Sequence, residues 1–234
     1  EHRGVDDAQR VDPMHPQFAV DDGALVVRAA HAAGAAGMMR GDRGLAHVTL
    51  QLAIAFDRRA GSDLARDVRR QARRAAELLV IRSGMRVLDV GAGVGKFCLV
   101  GALSLPGVFY GIEQRFHFVK VAHEVGERLG LRNARFLHGN MLDVQWQGFD
   151  GYYLYNPFAE NISSECPAID TTVDRTPELF RSYVKGVTER LHRARRGTRV
   201  VTFHGFGGDM PPGYRLELEE LSGTDRLELW VKRS

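Results

Sequence analysis

The sequence has little cysteine and no long hydrophobic run. Cys98 and Cys166 are the two cysteines in 234 residues, and they lack Cys-x-x-Cys or Cys/His spacing. We therefore expect neither a disulfide framework nor a zinc site, and no other metal. No apolar run approaches the roughly 18 residues that a membrane-spanning helix needs, and no signal-peptide pattern is found. These absences favour a cytoplasmic protein without membrane contact.

Lysine is also scarce, because four lysines stand among 32 basic residues and the others are arginine. The net charge is +3 at pH 7 and the isoelectric point is near 9.0. A basic chain can bind nucleic acid, but an arginine excess is explained as easily by a GC-rich genome. The remaining composition, 44% apolar and 26% charged, is that of an ordinary globular protein with a core.

Residues 1–84 carry helical patterns after an irregular start over 1–17, and helices are predicted over 21–36, 45–58 and 62–81. The third helix has one apolar stripe at three- and four-residue spacing, formed by Leu64, Val68, Ala72, Ala75 and Leu79. The arginines of Arg66–Arg74 form a cationic face on its other side. Because no exposed aromatic residues are interleaved with them, we favour a solvated helix face over a nucleic-acid contact.

From residue 85 onward, short apolar segments alternate with helical patterns. Strands are predicted over 86–90, 108–112, 134–138, 150–155 and 198–204, and helices over 94–104, 115–129 and 177–194. This order predicts a parallel sheet with crossover helices. Alternating residues over 214–220 and 226–232 flank a turn and predict an antiparallel hairpin. The predicted fold is α/β: a doubly wound, mostly parallel seven-stranded sheet with a C-terminal antiparallel hairpin, preceded by the helical N-terminal segment.

The first predicted strand runs into a turn of three glycines, Gly91, Gly93 and Gly95. Such a turn lets the backbone approach a ligand at the carboxyl end of the strand. A dinucleotide pyrophosphate requires a third glycine where this chain has Lys96. Asp89 would also repel a pyrophosphate, whereas it suits a ligand with a cationic amino-acid end and no phosphate. S-adenosylmethionine (SAM) is such a ligand.

This turn resembles the first motif of the class I SAM-dependent methyltransferases, and the similarity extends over residues 85–234. In that family the loop holds the methionine part and the sulfur end of SAM. The resemblance therefore implies cofactor roles for Asp89, Gly91, Gly93 and Gly95, with S-adenosylhomocysteine as the product. The plainer alternative is a tight strand-to-helix turn without a ligand.

Further cofactor contacts are predicted after the second and third strands. Glu113 follows the second strand and can accept hydrogen bonds from both ribose hydroxyls. The family often places an apolar residue next, against adenine, where this chain has Gln114. Asn140 stands where the family commonly has an aspartate that accepts from the adenine amino group, and its amide can accept and donate at the same base edge. Met141 offers a polarizable contact or belongs to the core.

The fourth predicted strand leads into Asn156, Pro157 and Phe158. Methyl transfer from a sulfonium is an in-line displacement, so an enzyme must chiefly align the acceptor's lone pair with the methyl carbon. The Asn156 amide and the Pro157 carbonyl can accept from an amine, and Phe158 can stabilise positive charge. The motif is similar to the Asn-Pro-Pro-aromatic signature of amino-directed methyltransferases and to the Asn motif of the non-SET histone-lysine methyltransferases, but it lacks the second proline. Alternatively, Asn-Pro simply ends the strand.

The predicted function is a SAM-dependent methyltransferase acting on a nitrogen, with a protein or small-molecule acceptor favoured over nucleic acid. A nicotinamide-dependent oxidoreductase and a non-catalytic SAM-fold binding protein are the alternatives, and the oligomeric state is open. Residues 159–175 are a candidate substrate lid, with 205–213 as the opposite rim. For His204, at the end of the fifth strand, a structural role is favoured over that of a base.

Overall fold

The computed structural model describes residues 63–161, 169–222 and 225–234. The irregular start and the predicted helices over 21–36 and 45–58 lie outside the described residues. So do Cys166 and the centre of the candidate lid, 162–168. The boundary near residue 84 between an N-terminal segment and a cofactor-binding domain stays a prediction.

A seven-stranded sheet forms the centre of the described chain, in the order β3-β2-β1-β4-β5-β7-β6. The strands are β1 (Arg86–Val90), β2 (Val108–Glu113), β3 (Ala134–His138), β4 (Gly151–Tyr155), β5 (Arg199–Phe203), β6 (Tyr214–Ser222) and β7 (Asp225–Lys232). The first five strands are parallel, and β7 pairs antiparallel with both β5 and β6. The predicted fold, including the terminal hairpin, is confirmed.

Helices cover both faces of the sheet. They are α1 (Asp63–Leu79), α2 (Lys96–Ser104), α3 (Phe116–Arg128) and α4 (Pro177–Arg193), with a short 3-10 helix over Ala159–Asn161. Helix α4 begins where the Thr176 hydroxyl accepts from the Leu179 amide at 3.1 Å, with Pro177 at the first helical position. Within the described ranges, no helix is long and apolar enough to cross a membrane.

The alternation of side chains along the strands divides the core into two layers. Val87 packs in one cluster with α1, α2 and α3, whereas Leu88 and Val90 pack in the other with α4. This parity follows from the two-residue period of a strand. It also decides which side chains of β1 can reach a ligand, as shown below.

Helix α1 buries its apolar side against the first layer and turns its arginines outward. Ala72, Ala75 and Leu79 are buried, as the stripe predicts. Three arginines pair with carboxylates: Arg70 with Asp67 at 2.8 Å, Arg73 with Glu77 at 3.0 Å and Arg74 with Glu220 at 2.5 Å. Much of the charge of this face is therefore balanced locally.

Candidate active site

A cleft of about 310 Å³ opens at the carboxyl ends of the parallel strands. The loop after β1, the residues after β2 and the segment after β4 form its wall. Strands β1 and β4 are neighbours at the point where the strand order reverses, which is where doubly wound sheets bind ligands. The volume lies at the small end of the range of roughly 300–1,000 Å³ found for small-molecule sites.

Gly91 and Gly93 shape the wall on the β1 side. Both have positive φ, +76° and +54°, a backbone conformation that side chains rarely adopt. A Cβ on Gly91 would lie 3.0 Å from the Pro157 Cβ, so the loop contacts the segment after β4 directly. A Cβ on Gly93 would meet no protein atom within 4 Å. The space in front of Gly93 is thus available to a ligand.

Gly95 lies behind the loop and does not line the cleft. A Cβ at this position would lie 2.3 Å from the Phe136 ring. The residue therefore lets the start of α2 pack closely on β3. The cofactor contact of Gly95 stays a prediction, and close packing is the role that the structure describes.

Glu113 is fixed at the end of β2 and is 8% exposed. One carboxylate oxygen accepts from the Gly93 amide at 3.0 Å, and the other accepts from the Arg115 amide at 2.9 Å. A carboxylate oxygen has a second lone pair. The group is therefore held rigidly at the cleft and can still accept from two hydroxyls of a ligand.

Asp89 faces away from the cleft, on the same side of β1 as Val87. The Cys98 thiol donates to its carboxylate at 3.8 Å. Burial raises the pKa of Asp89 to about 8, and burial also lowers the pKa of Lys96, against the opposing effect of the Asp89 charge. The contact between Asp89 and the cationic end of the cofactor stays a prediction; in the structure, strand parity places this carboxyl inside the first core layer.

Gln114, Asn140 and Tyr183 form a hydrogen-bonded chain beside the cleft. The Tyr183 hydroxyl donates to the Gln114 side-chain oxygen at 3.3 Å, and the Asn140 amide donates to the same hydroxyl at 3.3 Å. The Asn140 oxygen accepts from the Leu142 amide at 2.9 Å. Gln114 and Met141 line the cleft but Asn140 does not. The direct contact of Asn140 with a base edge stays a prediction, and the contact that the structure describes is the indirect one through this chain.

Tyr183 was missed because it belongs to the apolar stripe of α4, which predicts an ordinary core residue. Its hydroxyl joins the turns after β2 and β3, although it lies more than 40 residues further along the chain. Long-range bonds of this kind have no local sequence signal. The ring of Tyr183 also stacks on Phe158, with centroids 5.0 Å apart.

Asn156, Pro157 and Phe158 all line the cleft. Asn156 has a φ of +39°, an unusual conformation that costs free energy and often marks functional positions. The backbone amide of Asn156 donates to the Gly205 carbonyl at 3.1 Å, and this bond holds the ends of β4 and β5 together. Phe158 is 6% exposed and stacks on Tyr183, so part of its surface packs in the second core layer.

Arg115 is a second residue that sequence reasoning missed. Its buried guanidinium lies 2.6 Å from a Glu160 carboxylate oxygen, 3.2 Å from Asp170 and 3.8 Å from Glu113. The Arg115 Nε and the Asp170 oxygen are within ion-pair distance but lack hydrogen-bond geometry. Glu160 and Asp170 both follow β4 in the chain, so Arg115 connects that part of the chain to the end of β2.

Several acidic side chains lie near one another here, but they face the Arg115 guanidinium. In the part of the chain that the structure describes, no group of three His, Cys, Asp or Glu side chains could hold a metal ion.

Comparison with known proteins identifies the fold family. A family model described as a methyltransferase domain matches residues 81–170. A curated relative, the tRNA (guanine-N(7)-)-methyltransferase of Synechocystis, is 36% identical over 81 residues, which are 34% of this chain and 37% of the relative. The chain thus spans little more than a third of that relative's length.

Solved structures share the sheet. TrmN from Thermus thermophilus superposes with a TM-score of 0.52 at 23% identity, covering 69% of this chain and 48% of TrmN. A mutant of MtNAS in complex with S-adenosylmethionine superposes with a TM-score of 0.53 at 12% identity, covering 91% of this chain and 78% of MtNAS. At these identities the likeness establishes the fold.

One prediction is overturned by these comparisons. We predicted a protein or small-molecule acceptor in preference to nucleic acid, whereas the curated relative is a tRNA methyltransferase. The prediction relied on the arginine face of α1, and that face was uninformative because three of its arginines are paired with carboxylates.

The cofactor prediction agrees with the family match and with the geometry. The residues at the cleft fit SAM, since a fixed carboxylate, an open glycine backbone and a buried thioether from Met141 surround one space. The family model matches residues 81–170 as a methyltransferase domain, and the strand order and the glycine loop have the form of the class I SAM-dependent methyltransferase fold.

Proposed function

We propose that this protein transfers a methyl group from SAM to a nitrogen of a nucleobase in RNA. The observation that carries the proposal is that one cleft joins Glu113, Gly93 and the Asn156-Pro157-Phe158 segment in a single wall. The RNA acceptor is supported by the similarity to a tRNA methyltransferase. The nitrogen is supported by the two hydrogen-bond acceptors that Asn156 and Pro157 offer.

The β2 side of the cleft would hold the adenosine of the cofactor. Glu113 would accept from the ribose hydroxyls with the oxygen lone pairs that its two backbone bonds leave available. Met141 and Ile112, both buried, would provide the apolar surface on which adenine packs. The chain of hydrogen bonds through Tyr183 would fix the Gln114 amide at the edge of the base.

The β4 side would align the acceptor. When bound, SAM supplies a sulfonium-activated methyl group that a neutral amine lone pair can displace in line. The Asn156 side-chain oxygen and the Pro157 carbonyl would accept the hydrogens of an exocyclic amino group and so aim its lone pair. A ring nitrogen without a hydrogen, such as the guanine N7 in the curated relative's name, cannot make these bonds, so the Asn156 and Pro157 acceptors favour an exocyclic amino nitrogen over that position.

Phe158 would contribute through the shape of the wall. Its ring is stacked on Tyr183, which links the catalytic segment to the residues around the adenine. A cation–π contribution would come only from the part of the ring that faces the cleft.

The test is transfer of a radiolabelled methyl group from SAM in a cell extract, followed by separate nuclease and protease digestion. We expect the label to become acid-soluble after nuclease and to survive protease. Label that is released only by protease would contradict the RNA acceptor. SAM binding with no transfer to any fraction would favour the non-catalytic binding protein instead.

A further inference from the structure

The second core layer carries fewer helices than the first. Helices α1, α2 and α3 pack on the first layer, whereas α4 is the long helix on the second within the described ranges. Residues 139–150 connect the parallel strands β3 and β4 without a helix, although such a crossover usually contains one. A groove of about 500 Å³ lies between this connection and the last turns of α4.

Arginine side chains lie over aromatic rings on the sheet side of this groove. The Arg86 guanidinium lies 5.1 Å from the ring centroids of both Tyr110 and Phe149. A Cβ on Gly148, which lines the groove, would lie 3.4 Å from the same guanidinium. Arg135, on the edge strand β3, lies 5.4 Å from the Tyr110 centroid and donates to the Tyr110 hydroxyl at 3.0 Å. Stacking of this kind fixes a guanidinium plane.

The last turns of α4 supply arginines on the opposite side. Arg190 lies 5.8 Å from the Trp146 ring centroid, and its guanidinium donates to the carbonyls of Leu142 and Gly186. Because these carbonyls carry no charge, they do not neutralise the guanidinium. Arg193 is exposed and lines the groove one turn of helix further along. We call the four residues Arg86, Arg135, Arg190 and Arg193 the groove arginines.

Carboxylates balance this set only in part. Among the described residues, no carboxylate forms an ion pair with any of the groove arginines. Asp143 and Glu189 also line the groove, but Glu189 lies 3.9 Å from the Lys185 Nζ. Asp150 pairs with Arg195, a further arginine of the groove wall. The groove therefore has an excess of positive charge, unlike the α1 face, where three arginines pair with carboxylates.

We propose that this groove binds the phosphodiester backbone of RNA outside the catalytic cleft. This rests on the proposed function and adds the surface that holds the body of the acceptor RNA. Guanidinium groups present paired N–H donors to phosphate oxygens, and cationic grooves with aromatic side chains are typical of surfaces that follow a nucleic-acid strand. The consecutive residues Met141 and Leu142 line the cleft and the groove, respectively. One RNA can therefore contact both.

The experiment measures binding of fluorescently labelled total tRNA to the full chain by anisotropy, at several salt concentrations and with S-adenosylhomocysteine present. Arg135→Gln and Arg193→Gln each remove one exposed charge, from the sheet side and from the helix side. We expect each variant to raise the Kd for tRNA about threefold or more and to reduce the slope of log K against log[salt] by about one. The affinity for SAM should stay unchanged in calorimetry, because neither residue lines the cleft.

Arg70→Gln is the matched control, because Arg70 is an exposed arginine of α1 that pairs with Asp67. It should change neither the Kd for tRNA nor the salt slope. Wild-type values in both groove variants, or an equal loss in Arg70→Gln, would overturn the groove as an RNA surface and leave RNA methylation standing.

Sedimentation velocity separates a second occupant. A wild-type dimer that both groove variants dissociate would show that this surface holds another copy of the chain, and it would overturn RNA binding there. Weakened tRNA binding in the groove variants, together with no methyl transfer to RNA by the wild type, would overturn the proposed function alone.

Discussion

Two carboxyl groups flank the glycine loop, and their surroundings give them different tasks. Glu113 lies at the cleft and accepts from two backbone amides. Asp89 lies on the other face of β1, buried beside Cys98. We infer that Glu113 serves the cofactor directly and that Asp89 serves the packing beneath the loop.

Replacing Glu113 by glutamine tests the first role. Glutamine has one acceptor oxygen where glutamate has two. Its NH₂ group would face a backbone amide, and two donors form no hydrogen bond with each other. We expect SAM to bind at least tenfold more weakly, which is about 1.4 kcal/mol, by isothermal titration calorimetry. Glu124→Gln, on the exposed side of α3, is the control and should change nothing. Wild-type affinity in Glu113→Gln would contradict the assignment.

Asp89 predicts a pH dependence of stability. Its pKa of about 8 in the folded chain lies above the ordinary aspartate value of 3.8, so the folded state holds a proton that the unfolded state releases. The stabilisation is present below pH 4 and is lost as the pH rises toward 8. Between pH 5 and pH 8, Asp89→Asn should therefore lose less of its free energy of unfolding than the wild type does, as measured by urea unfolding. Parallel pH profiles of the two proteins would refute this.

Two glycines of the loop also differ in role, because Gly95 packs on Phe136 and Gly93 faces the cleft. Gly95→Ala should destabilise the fold by roughly 1–3 kcal/mol, because its Cβ would overlap the Phe136 ring. The Cβ of Gly93→Ala would meet no protein atom within 4 Å. This substitution should therefore lower the stability less than Gly95→Ala does, and it should weaken SAM binding more. Urea unfolding and calorimetry on both variants check this. The opposite ranking would show that the loop was assigned wrongly.

At the scale of elements, the end of β2 and the segment after β4 are joined by one buried cation. Arg115 faces Glu113, Glu160 and Asp170, and a second contact, from the Arg175 side chain to the Glu160 carbonyl at 2.8 Å, closes the same segment toward α4. Ligand contacts on β2 and catalytic contacts after β4 are therefore mechanically connected.

Arg115→Met tests this connection. The substitution removes the guanidinium that the three carboxylates face, and we expect a loss of roughly 3–5 kcal/mol in the free energy of unfolding. Arg181→Met, an exposed residue of α4 with one carboxylate partner, is the control and should cost less than about 1 kcal/mol. Equal unfolding midpoints for the two variants would contradict a buried clamp.

Much of this architecture follows from local sequence patterns. The strands after residue 85 were predicted to within about two residues, because their apolar runs are bounded by Gly, Pro or charged residues. Helix α1 ends at Leu79 rather than at the predicted position 81, since the chain turns toward Gly84, whose φ is +76°. Helix α4 was placed by its Thr-Pro start.

The site was predictable only in part. The glycine turn, Glu113 and Asn156 carry local motifs, and the structure brings them into one cleft. Arg115 and Tyr183 act through partners that are distant in sequence, so no motif marks them. The burial of Asp89 in the first core layer follows from the parity of β1, which assigns positions 89 and 90 to opposite faces, and the family motif does not express that parity.

At the scale of the whole molecule, overall charge says little about the acceptor. The net charge of +3 is small, and the arginines of α1 that pair with carboxylates do not face the cleft. Recognition is expected instead at the cleft, where the hydrogen-bond acceptors of Asn156 and Pro157 adjoin the cofactor site.

The decisive measurement is methyl transfer from labelled SAM to total tRNA by the wild type and by Asn156→Ala, with the tRNA then digested to nucleosides. We predict label in a base-methylated nucleoside, and a rate about 100-fold lower in the variant with the affinity for SAM retained. Label in a ribose-methylated nucleoside, or an unchanged rate in Asn156→Ala, would contradict it.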